Sequence, residues 1–61
     1  MDRPSAVRQL PVPHAVAIRL RDDGLDTHVI AVALAVDDDQ VPTLLEIAER
    51  KLINLMALDA I

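Results

Sequence analysis

The chain has 61 residues, 52% of them hydrophobic, yet it contains no cysteine, phenylalanine, tyrosine or tryptophan. That composition excludes disulfides and thiolate metal sites and argues against disorder. It leaves one small aliphatic core, a size at which a single core rarely contributes more than about 3–5 kcal/mol. Ten acids against six bases give a formal charge of −4, without the basic face or stacking aromatics of a nucleic-acid binder.

Residues 1–13 are expected to form an extended arm. Pro4, Pro11 and Pro13 remove amide donors and push their predecessors toward extended geometry. Val7, Leu10 and Val12 give this arm apolar side chains to lay against a neighbour. The opening Met-Asp-Arg-Pro-Ser lacks the charged and apolar regions of a signal peptide, so a cytoplasmic location is the default expectation.

Residues 14–21 read as a strand. Val16, Ile18 and Leu20 alternate with Ala15, Ala17, Arg19 and Arg21, the period of two that separates the faces of a sheet. Residues 22–26, Asp-Asp-Gly-Leu-Asp, contain the only glycine and suit a hairpin turn with Gly24 in the left-handed position.

A second strand is expected over residues 27–36. Here Ile30, Val32, Leu34 and Val36 alternate with Val29, Ala31, Ala33 and Ala35, so the segment is greasy on both faces. A half-solvated strand would alternate apolar with polar. At this length the apolar run falls far short of the ~20 residues that cross a bilayer, and no membrane association is expected.

Asp37-Asp38-Asp39-Gln40 ends that strand. A helix is expected from about 41 to 59. Its start is set either by Thr43 and Glu46 as a capping box, or by Asp39 or Val41 with Pro42 in the first turn. Leu44, Leu45, Ala48, Leu52, Leu55 and Met56 recur at helical spacing as its core stripe, and Glu46 to Arg50 is a favourable i,i+4 pair. From Leu52 onward the helix is apolar nearly all round. The expected fold class is therefore α+β: an arm at 1–13, then one ββα domain over 14–61.

Little chemistry is offered. His14 and His28 are the only histidines, and a metal site needs further converging ligands. Asp22, Asp23 and Asp26 lack the order of a calcium loop and are of the types a turn needs anyway. Asp37–Asp39 would complement the dipole of the following helix or meet a basic patch on a partner. Ser5, Thr27 and Thr43 are the only hydroxyls, and one glycine cannot build a phosphate loop. No catalytic, cofactor or metal residue is assigned, and a non-enzyme is expected.

What the pattern does point to is assembly. Small side chains on one strand face, Ala15, Ala17, Ala31, Ala33 and Ala35, permit close approach of another element. With Val7, Leu10 and Val12 of the arm and Leu52, Ile53, Leu58 and Ile61 of the helix end, they form the expected partner interface. The expected function is a structural subunit that forms a homo-oligomer or packs on a larger assembly, such as an accessory (decoration or cement) protein of a viral capsid, which would place it in a virion. A small acidic regulator or inhibitor of a protein partner is the alternative. A dimeric strand-based DNA reader is disfavoured, because Arg19 and Arg21 would act against a net charge of −4.

Overall fold

The computed structural model describes residues 2–58. Among them there are four α-helices and no strand: α1 (Arg3–Arg8), α2 (Val12–Asp22), α3 (Thr27–Leu34) and α4 (Val41–Ala57), with a 3-10 turn at Asp38–Gln40 leading into α4. The expected ββα hairpin is therefore wrong, and both segments read as strands are helices. The helix expected from about 41 is present from Val41, with Pro42 in its first turn, and Thr43 lies inside it. Its expected end at residue 59 lies outside the described residues.

Helix boundaries explain the correction. Pro4, Pro13 and Pro42 each occupy the second position of a helix, where no intrahelical amide bond is lost and the fixed φ suits the turn. The prolines of residues 1–13 thus start helices, and α1 replaces the expected arm. Asp2 caps α1 by accepting from the Ser5 amide at 3.0 Å, and Asp26 caps α3 by accepting from the Val29 amide at 2.9 Å.

Two left-handed residues end the inner helices. After α2, Gly24 (φ 86) directs its amide to Arg21 O at 2.9 Å, and the Leu25 amide reaches Leu20 O at 3.1 Å. After α3, Ala35 (φ 57) repeats the arrangement. Its amide donates to Val32 O at 3.2 Å and the Val36 amide to Ala31 O at 3.0 Å. Both are Schellman caps. The left-handed position expected at Gly24 is present, but it separates two helices instead of two strands.

The helices share two apolar clusters. One joins Ala6, Val7 and Leu10 to Ile18 of α2 and to Ala48 and Leu52 of α4. The other joins Ala17 of α2 to Ile30 and Ala31 of α3 and to Val41, with Val36 and Leu44 packed against it. Leu45 touches both. On α2 the inward stripe runs Ala17, Ile18 and half-buried Leu20 and Arg21, a helical spacing that the alternation of apolar and polar residues had concealed. Ala6, Ala17, Ala31 and Ala48 are fully enclosed, so small side chains do permit close approach, but between helices of the same chain.

Candidate functional site

Several charged groups help to fix the fold. Arg21 of α2 hydrogen-bonds Glu49 of α4. Arg3 of α1 lies 3.2 Å from Asp22 and 3.5 Å from Glu49. The hydrogen bond from Arg21, aided by the charges of Arg21 and Arg3, holds the Glu49 carboxyl below the ordinary range. This network ties three helices together, and its partial exposure keeps each pair weak. The expected Glu46–Arg50 pair is present at 2.7 Å.

The acidic segments divide between structure and surface. Asp22 belongs to the network, Asp23 ends α2 and Asp26 caps α3. Before α4, the Asp37 amide donates to Gln40 Oε1 at 3.3 Å, and Asp38 meets exposed His28 at 3.1 Å. Among the described residues, no group of three or more His, Asp or Glu side chains is arranged to hold a metal ion.

Asp39 instead lines an open groove of about 430 Å³ with His14, Val36, Gln40, Thr43, Leu44 and Ile47. Gln40 at the end of the 3-10 turn and Thr43, Leu44 and Ile47 of α4 recur on one face. His14 forms part of the wall, its Nδ1 buried without a hydrogen-bond partner. Burial, with the nearby Lys51 charge, pushes the His14 pKa down.

The residues expected at a partner interface separate into two groups. Val7, Leu10, Ala17, Ala31 and Leu52 are buried in the chain's own clusters, and Ala15 packs partly buried against one of them. These residues pack within the chain's own fold, with Ala15 keeping part of its surface exposed. Val12, Ala33, Ala35, Ile53 and Leu58 remain on the surface, while Ile61 lies outside the described residues.

The sequence reading missed how α3 is exposed. This helix carries no Asp, Glu, Lys or Arg over Thr27–Leu34, and its buried stripe is Ile30 and Ala31 with half-buried Leu34. The other side presents Val29 (42% exposed), Val32 (67%) and Ala33. Surface helices place polar residues there, and a helix apolar all round is normally covered all round. The signal was available in the i, i+3, i+4 spacing of Val29, Val32 and Ala33 behind the Asp26 cap.

In connectivity, α3 is joined to the helical segment that follows by the three residues Ala35–Asp37, a turn length that helix-turn-helix motifs also use. In DNA-binding versions the second helix meets the groove through its N-terminal residues. Here that end carries Asp37, Asp38 and Asp39, which repel phosphates. No helix among the described residues is long and apolar enough to cross a membrane. Compared with known proteins, the chain matches no family model, no curated protein and no solved structure.

Proposed function

We propose that this chain is a non-enzymatic assembly subunit that self-associates through the outward face of α3. The observation that carries the reading is Val29, Val32 and Ala33, exposed on a helix without an Asp, Glu, Lys or Arg side chain. On a molecule of net charge −4, that uncharged face is where two copies approach with least repulsion. A two-fold pairing brings the same patch together from both sides, so a neutral apolar patch complements itself.

An eight-residue helix face is small beside the roughly 800 Å² per partner of a standard interface. Association is therefore expected to be concentration-dependent, with a dissociation constant in about the micromolar to millimolar range. Added salt should strengthen it by screening the net charge. Packing on a lattice or shell, a capsid included, is the same contact repeated in a larger assembly.

Light scattering after size exclusion, over roughly 10 µM to 1 mM chain, tests the reading. The apparent mass should rise above the 6.7 kDa of one chain, and Val32→Asp should hold it there while far-UV circular dichroism stays helical. A wild-type chain that remains monomeric throughout refutes self-association. That result favours the second reading, a small acidic regulator of another protein, which the α2–α4 groove supports.

A further inference from the structure

We propose that the groove between α2 and α4 is a docking site for a basic amphipathic helix of a protein partner. The inference rests on the chain being an interaction module, but it uses a surface with no residue in common with the α3 face. Leu44 and Ile47 provide the apolar floor, Val36 one edge and His14 the opposite helix's wall. Ile47 keeps 41% of its surface exposed. The floor is continuous with the second core cluster through Leu44 and Val36, so an inserted side chain meets packed apolar atoms.

Charge complementarity selects the occupant. Asp39 lines the groove itself, and Asp37 and Asp38 precede it in the chain, so one carboxylate faces the groove and two more add negative charge next to it in sequence. Asp38 is paired with exposed His28 and Asp37 forms a capping box with Gln40, which leaves Asp39 as the carboxylate that faces the groove. Lysines or arginines at one end of an incoming helix would neutralise this run while apolar residues at i, i+3, i+4 and i+7 enter the groove.

The test is fluorescence anisotropy with a fluorescein-labelled amphipathic peptide of about 14 residues, long enough for four anchor positions. It carries leucines at the anchors and lysines elsewhere, and its counterpart has glutamates in place of the lysines. The lysine peptide should bind the full chain saturably and lose affinity with added salt, whereas the glutamate peptide should not bind. Ile47→Asp, Thr43→Arg and Asp39→Lys should each weaken binding about tenfold, or ~1.4 kcal/mol. Val32→Asp should leave it unchanged. Circular dichroism of every variant identifies any that unfold, and Thr43 and Asp39, both exposed, keep the test available if Ile47→Asp does.

Equal binding of both peptides, no saturable binding, or indifference to folded groove variants overturns the assignment. Loss of binding in folded Val32→Asp does so too. The two surfaces respond oppositely to salt, so their failures are distinguishable. A chain that self-associates but ignores the peptide loses only the groove. A monomer that binds the peptide through Ile47 and Asp39 loses only the α3 contact.

Discussion

Replacing Ala35 with glycine should stabilise the chain, because of the backbone conformation at that residue. Ala35 occupies the left-handed region (φ 57) at the end of α3, a conformation that costs an L-residue roughly 1–2 kcal/mol. Glycine escapes that cost, and Ala35→Gly removes no buried contact because the side chain is exposed. The greater freedom of glycine in the unfolded chain returns about 0.5–1 kcal/mol of the gain. The net expectation is stabilisation by about 0.5–1 kcal/mol, or a Tm rise of about 2–8 °C for a domain this small.

Ala33, two residues earlier, is exposed but inside α3, where Ala→Gly should cost about 0.5–1 kcal/mol. Neighbouring, chemically identical substitutions therefore have opposite signs. Thermal and urea unfolding of both variants at one dilute concentration checks this, because self-association would raise Tm with concentration. In a strand both substitutions would destabilise. A loss of stability in Ala35→Gly refutes the capped helix.

Leu52→Ala removes a fully buried side chain between α1, α2 and α4. At about 2–5 kcal/mol against a core worth about 3–5 kcal/mol, it should abolish most helicity in far-UV circular dichroism. Leu58→Ala, 64% exposed, should change stability by no more than about 0.5 kcal/mol. His14 is disfavoured in its charged form by burial and then by Lys51. The unfolded chain therefore takes up its proton first as pH falls, and stability present above about 6.5 is progressively lost below it. His14→Gln should flatten the unfolding free energy as the pH falls below about 6.5, and an unchanged slope would contradict the burial. Glu49, held low chiefly by its hydrogen bond from Arg21, adds a further loss below about pH 4.5.

How far the fold was legible depended on which residue was consulted. The long helix could be read from Pro42 and the recurrence of Leu44, Leu45, Ala48, Leu52 and Leu55, since only one period fits seventeen residues. Over residues 14–21 and 27–36 large aliphatic residues alternate with alanine, a pattern that suits a strand. Alternation over so short a stretch fits either period. Asp26 as a cap and Pro13 in a first turn would have decided for helix. The enclosed alanines, Ala17 and Ala31, could not be told from surface alanines by sequence, because their burial depends on where the other helices cross. The groove needed the packing of α2 on α4, whereas the exposed α3 face was already present in the spacing of Val29 and Val32.

The α3 contact is most directly located by a dilution series of the isotope-labelled chain followed by amide NMR, from about 1 mM to 10 µM. Concentration-dependent shifts should centre on Val29, Val32 and Ala33, grow with added salt, and vanish in Val32→Asp. Spectra that do not change with concentration, or shifts centred on α1 and α2 with α3 unaffected, would contradict it.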